Sequence, residues 1–219
     1  MEQKVRKGEE LNEINLKKFL KENDLISDVK SELNVLQFSN GFSNLTYSLA
    51  IENKEYVIRK PPKGAVYGHD MNREFKVLKG LNNGFDKAPI AYAYSEDNSI
   101  IGTSFYIMEK VNGKIITPRE FKERSIPNED YSTISKTWLK TFVELHNLDF
   151  NKLGLSDLGK PDGYVERQVR NWGKQYLKAA TDDIKEAELI MNWLNENQPK
   201  QYKHSFCLLY TSPSPRDRG

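Results

Sequence analysis

The stretch Val35-Leu-Gln-Phe-Ser-Asn-Gly-Phe-Ser-Asn-Leu-Thr-Tyr-Ser-Leu-Ala-Ile-Glu-Asn-Lys-Glu-Tyr-Val-Ile-Arg-Lys-Pro-Pro62 decides the fold. Val35 to Phe38 is a short apolar run that reads as a strand. Ser39 to Asn44 is a dense cluster of turn formers with Gly41 at its centre. Tyr47 to Ile51 reads as a second strand and Glu52 to Lys54 as a turn. Tyr56 to Arg59 is a third strand, stopped by Pro61 and Pro62 because proline cannot donate to a ladder. Short strands joined by tight polar turns make an antiparallel meander.

Upstream, residues from about Glu9 to Glu22 carry Leu11, Ile14, Phe19 and Leu20 at helical spacing. Downstream, Lys63 to Asp70 is a Gly-containing loop. The spacing of Phe75, Leu78 and Leu81 then predicts a helix from about Met71 to Leu81. Pro89 to Tyr94 and Thr103 to Met108 read as two more strands, followed by a turn at Val111 to Lys114. Ile134, Trp138, Phe142, Leu145 and Leu148 recur at three- and four-residue intervals, the mark of an amphipathic helix. Two further helices are expected over Asp162–Tyr176 and Asp182–Leu194. The fold class is therefore α+β: a small antiparallel-sheet lobe over residues 1–111, then a partial helical lobe over residues 112–206.

The run Cys207-Leu-Leu-Tyr-Thr-Ser-Pro-Ser-Pro-Arg-Asp217 breaks with the Lys- and Asn-rich chain before it. It resembles a translated sequencing adapter, so residues 207–219 are expected to be a non-native tail and are set apart from the fold. Without them the chain holds no cysteine, and no Cys/His spacing suggests a zinc site. A net charge of +2, from 33 basic and 31 acidic residues well interspersed, gives none of the basic surplus of a nucleic-acid binder. No run approaches the roughly 18 apolar residues of a membrane helix. The polar start, Met1 to Glu10, carries no signal segment. A cytoplasmic protein without nucleic-acid or membrane partners is the expectation.

Chemistry gathers at three places. The Ser39–Asn44 hairpin can lay backbone N–H groups against a triphosphate, although an ordinary hairpin would look the same. Arg59 or Lys60, at the end of the third strand, is followed fifteen residues after Arg59 by Glu74 on a helix. Phosphoryl transfer needs a cation on the nucleotide phosphates and a helix carboxylate to fix its rotamer. Strand alternation sends Arg59 and Lys60 to opposite faces, so only one can serve. A surface salt bridge is the plainer alternative. Ile107 to Gly113 is an apolar strand entering a Gly turn, a junction that could present main-chain groups to an adenine edge.

In order along the chain, Gly41-Phe-Ser-Asn-Leu-Thr-Tyr47, Tyr56-Val-Ile-Arg-Lys-Pro-Pro62, Asn72-Arg-Glu-Phe75 and Gly102-Thr-Ser-Phe-Tyr-Ile-Met-Glu109 resemble successive motifs of the aminoglycoside-phosphotransferase and choline-kinase superfamily. The nearest branch is the kinase-like domain found alone in bacteria and fused to some acyl-CoA dehydrogenases. Glu144-Leu-His-Asn-Leu-Asp149, Gly163-Tyr-Val-Glu-Arg-Gln168, Trp172 and Gln175 resemble that branch too. The resemblance implies a protein-kinase-like two-lobed fold with ATP and Mg2+ as cofactors and a small-molecule hydroxyl as acceptor.

It implies that Ser39, Asn40, Gly41, Phe42, Ser43 and Asn44 position the nucleotide. Arg59 stands where many relatives carry lysine, and Glu74 is its partner. Met108 to Val111 form the interlobe linker, with main-chain groups of Glu109 and Val111 facing adenine. The family's His-Gly-Asp catalytic loop and metal-binding Asp should follow Pro199. Instead the chain reads Tyr202-Lys-His-Ser-Phe-Cys207, so neither His204 nor Asp217 takes those roles, and no catalytic or metal residue is assigned. A chain lacking that loop is expected to be inactive. A non-catalytic nucleotide- or acyl-CoA-binding pseudokinase module is the alternative. His146 reads as a structural residue on its helix, His69 has no specified role, and Asp162, Arg167 and Arg170 are candidates for substrate contact.

Overall fold

The computed structural model describes residues 2–39, 44–64, 70–113, 123, 127–160 and 162–200. Asn40 to Ser43, His69, His204 and the 207–219 tail lie outside the described residues. Contacts divide the chain into two compact units, Met1–Thr141 and Phe142–Gly219.

The first unit is built on one antiparallel sheet. Its strands are β1 (Glu2–Lys4), β2 (Asn34–Phe38), β3 (Leu45–Ile51), β4 (Lys54–Lys60), β5 (Ala91–Ser95) and β6 (Phe105–Glu109), in the order β1-β2-β3-β4-β6-β5. The expected meander is β2-β3-β4. Glu52 and Asn53 join β3 to β4 with φ of 50° and 59°. Two positive φ values in a two-residue loop match the right-handed twist of the flanking strands. Glutamate is an unusual occupant of that conformation. Its carboxylate compensates by accepting from the Ser27 and Asp28 N–H groups and the Ser27 and Ser31 hydroxyls, at 2.7–2.9 Å.

Register sorts the side chains onto two faces. Tyr47, Leu49, Ile51, Tyr56, Ile58, Phe105 and Ile107 form the core face. Helix α1 (Glu13–Glu22) covers it with Leu16, Phe19 and Leu20, and the Phe19 and Phe105 rings meet edge-on at 5.1 Å. Asn12 caps α1 by accepting from the Asn15 N–H at 3.1 Å. The opposite face carries Thr46, Ser48, Val57, Arg59, Tyr106 and Met108. Helix α2 (Met71–Leu81) packs on the β5–β6 end, where Phe75 stacks on Tyr94 at 5.7 Å.

Two elements depart from the sequence reading. The sequence reading assigned no element to the polar start, yet Glu2–Lys4 pairs with β2 as an edge strand. Charged, apolar-poor edges guard a sheet against pairing with other chains, which erases the alternation a sequence reading relies on. A one-turn helix, α3 (Asn98–Ile101), interrupts the β5–β6 connection, capped by Asp97 and closed by Gly102 at φ 86°.

Helix α4 (Asn128–His146) begins in the first unit and ends in the second. Leu145 on its apolar stripe is buried, whereas Trp138 is 63% exposed. In the second unit, α5 (Tyr164–Ala179) packs on α6 (Lys185–Glu196). Gly173 faces Met191: a Cβ there would sit 3.4 Å from Met191 Sδ, an ordinary van der Waals contact. Trp172, Leu189, Ile190 and Trp193 remain exposed.

Candidate functional site

Glu74 is the hub. It stands in the first turn of α2, which Asp70 caps by accepting from the Arg73 N–H at 2.8 Å. The Asn44 amide donates to Glu74 Oε1 at 2.9 Å, and the Tyr106 hydroxyl donates to Oε2 at 2.9 Å. An Arg59 Nη atom approaches Oε2 at 3.4 Å. Arg59 pairs with Tyr106 across β4 and β6, so the register brings these groups together.

Distances rank the interactions. Hydrogen bonds to a charged group are worth about 1.5–3 kcal/mol net. A partly exposed ion pair is worth about 0–1 kcal/mol. Arg59 and Glu74 side chains are each about a third exposed, and 3.4 Å is long for a charge-assisted bond. Asn44 and Tyr106 therefore fix the carboxylate, and Arg59 is the more loosely held partner. Burial pushes the Tyr106 hydroxyl well above its ordinary pKa; Arg59 opposes the shift and Glu74 adds to it. The hydroxyl therefore stays protonated and keeps donating. Arg59 Nε is buried and has no hydrogen-bond partner among the described residues. A buried unpaired donor on a guanidinium suits an anion.

The other cation of the pair goes elsewhere. Lys60 Nζ lies 5.9 Å from the centroid of the Tyr47 ring, on the core face. Burial lowers its pKa, against the pull of Glu9. Of the two cations, Arg59 is the one that lies against Glu74.

The remaining expected site residues are more scattered. Ser39 is half-buried, and its carbonyl accepts from Arg6 at 3.4 Å. Met108 stands on the Arg59 face, opposite Val57. The Glu109 N–H donates to the Ile90 carbonyl at 2.8 Å, and its carboxylate accepts from the Ile90 N–H at 3.0 Å. That N–H is therefore committed to the sheet. Val111 is 64% exposed. Between Glu109 and Val111, Lys110 is clasped by Glu55 at 2.6 Å and Glu2 at 3.0 Å.

Tyr106 was missed as a site residue. The alternation of Phe105-Tyr-Ile-Met108 places it on one face with Met108, but only the β4–β6 pairing reveals its neighbours. His146 has the structural role expected of it: Nδ1 is 3.0 Å from the Phe142 carbonyl. Arg167 bonds the carbonyls of Lys160 and Asp162, and Arg170 is exposed. Among the described residues, no group of three or more His, Cys, Asp or Glu side chains is arranged to hold a metal ion. None of the described helices is long and apolar enough to cross a membrane.

A strand-end arginine facing a helix carboxylate, on a small antiparallel sheet followed by helices, defines an α+β protein of the protein-kinase-like fold. A profile of the phosphotransferase enzyme family (APH) matches residues 34–209, and the chain belongs to that family. Its curated relatives include acyl-CoA dehydrogenase family member 11 of Rattus norvegicus, 37% identical over 186 residues, or 84% of this chain and 24% of the relative. Acyl-CoA dehydrogenase family member 10 of Mus musculus is 34% identical over 176 residues, or 78% of this chain and 16% of the relative. The chain thus spans a quarter or less of the length of either relative.

Among solved structures, a Ralstonia eutropha JMP134 protein assigned to the aminoglycoside phosphotransferases matches with a TM-score of 0.69 and 28% identity. The match covers 88% of this chain and 55% of that one. The streptomycin–ATP ternary complex of APH(2″)-IIa shares the fold at a TM-score of 0.52 and 19% identity, over 81% of this chain and 56% of that one. The family resemblance carried by the sequence motifs and the α+β, protein-kinase-like fold are both borne out.

Proposed function

We propose that this chain carries the nucleotide-binding part of an ATP-dependent phosphotransferase whose acceptor is a small-molecule hydroxyl. One observation carries the reading: Arg59 faces a carboxylate already fixed by two other donors, and its buried Nε has no hydrogen-bond partner among the described residues. Phosphoryl transfer asks a protein chiefly for positioning and charge neutralisation. Arg59 supplies the charge, and Glu74 limits its rotamers. Ser39 to Asn44 are assigned to the phosphates, and Met108, Glu109 and Val111 to the base, with the Glu109 N–H excluded because the sheet uses it. Mg2+ would arrive with the nucleotide and supply further charge neutralisation when bound.

No His-Gly-Asp segment occurs in the 219 residues. The chain as it stands is therefore assigned nucleotide binding without phosphate transfer. The second reading is a non-catalytic pseudokinase module that binds nucleotide or acyl-CoA. Calorimetric titration with AMP-PNP and Mg2+ tests the first. The unaltered chain should bind, and Arg59→Ala should bind at least about tenfold more weakly, a difference of about 1.4 kcal/mol. Equal binding by both chains refutes the assignment of Arg59. Acyl-CoA binding with no response to AMP-PNP supports the second reading. Phosphate transfer above background that disappears in Arg59→Ala overturns the expectation of inactivity.

A further inference from the structure

Tyr106 is 1% exposed and stands on β6 directly across from Arg59 on β4. Its ring lies against Phe75 of α2, with the centroids 6.4 Å apart. A hydroxyl buried between sheet and helix must find its partner inside the protein, and this one donates to Glu74 Oε2 at 2.9 Å. The same oxygen is the one that Arg59 approaches, at 3.4 Å. The other, Oε1, accepts from the Asn44 amide. Two donors therefore share Oε2, and the neutral one sits closer.

We propose that Tyr106 is a positioning residue that holds the Arg59–Glu74 pair open: its hydroxyl occupies Oε2, so that the Arg59 guanidinium stays available to a nucleotide phosphate. The proposal rests on the nucleotide reading above. Tyr106 acts through Arg59; its own hydroxyl is committed to Glu74. When the guanidinium turns towards an arriving phosphate, the carboxylate keeps a neutral donor on each oxygen and stays in place. Phenylalanine has the shape of tyrosine without the donor. Oε2 would then take the neighbouring guanidinium as its main partner, and a phosphate would have to compete with a closed, charge-assisted pair.

The test is a double-mutant cycle on equilibrium binding of Mg2+–AMP-PNP. Tyr106→Phe should bind about fivefold more weakly than the unaltered chain, the worth of a partly exposed ion pair that must first be broken. Added to Arg59→Ala, the same substitution should change the affinity by less than about twofold, because no guanidinium is left to sequester. A hydroxyl that merely supported the fold would cost the same factor in both backgrounds. Tyr106→4-aminophenylalanine, which keeps a neutral N–H donor, should restore most of the affinity.

A crystal structure of the unaltered chain with Mg2+–AMP-PNP decides the matter if Tyr106→Phe fails to fold cooperatively. The Tyr106 hydroxyl should remain on Glu74 Oε2 while the Arg59 guanidinium contacts phosphate. A hydroxyl that has left Glu74, an unchanged affinity in Tyr106→Phe, or an equal loss with and without Arg59 overturns the proposal. An unaltered chain that binds no AMP-PNP overturns the nucleotide reading itself, and this proposal with it.

Discussion

Arg59 and Lys60 are sequence neighbours that serve opposite faces of one sheet: Arg59 approaches Glu74 at 3.4 Å, and Lys60 Nζ lies 5.9 Å from the centroid of the Tyr47 ring. Two cations at one strand end therefore have separable effects. Lys60→Met should leave AMP-PNP affinity within about twofold, the scatter expected of a residue outside the site. Arg59→Lys should bind with intermediate affinity, because a point charge replaces a fork without removing the charge. Calorimetric titration of both variants checks the contrast, and an affinity loss confined to Lys60→Met would exchange their roles.

The helix that carries Glu74 depends on its first turn. Asp70 accepts from the Arg73 N–H, and the Asp70 carbonyl accepts from the Glu74 N–H at 3.1 Å. Removing such a cap typically costs about 1 kcal/mol. In a chain of this size that corresponds to a Tm lower by about 2–4 °C. Asp70→Ala should show that loss in thermal melts and also weaken AMP-PNP binding, because fraying releases Glu74. Asp70→Asn, which keeps the acceptor, should stay close to the unaltered chain in both measurements.

Local chemistry explains what was legible in the sequence. The β2–β4 meander shows itself through short apolar runs punctuated by Gly, Asn and Pro. Helix α2 occupies the expected Met71–Leu81 because its apolar spacing and its Asp70 cap agree. The Arg59–Glu74 relationship was legible as spacing, but the choice between Arg59 and Lys60 needed the register. Strand β1 was not legible. Glu2-Gln-Lys4 has no apolar alternation and is held by pairing with β2, helped by the Arg6 N–H donating to buried Gln37 at 3.0 Å. The roles of Tyr106 and Asn44 were equally hidden. Both depend on segments far apart in sequence meeting over one carboxylate.

Lys110, the residue after β6, is tied to β1 and β4. Its side chain is 15% exposed and lies between Glu55 and Glu2. The hydrogen bond to Glu55 is the foremost cause of its raised pKa, and the same contact lowers that of Glu55. A raised lysine pKa contributes stability that is fully present below the unfolded value of about 10.5 and is lost as pH rises through the folded value. Lys110→Met should melt at a lower temperature than the unaltered chain at pH 8. The gap should narrow as pH climbs past 10.5. A gap constant across that range would show that packing of the stem, rather than its charge, is what matters.

Glu52 offers the converse case on the acid side. Its carboxyl is pulled down to about 2, chiefly by the backbone N–H groups of Ser27 and Asp28 and then by the Ser27 hydroxyl. Because the folded value lies below the ordinary 4.5, its contribution is fully present above that pH. It drains away as pH falls towards 2. The contacts tie the β3–β4 turn to the segment after α1, so protonation should loosen both together. Glu52→Gln keeps the size and one acceptor oxygen but cannot gain or lose the proton. Its urea midpoint should lie below that of the unaltered chain at pH 7, and the two should converge between pH 4.5 and pH 2. Parallel curves across that window would mean that the four hydrogen bonds do not favour the charged form.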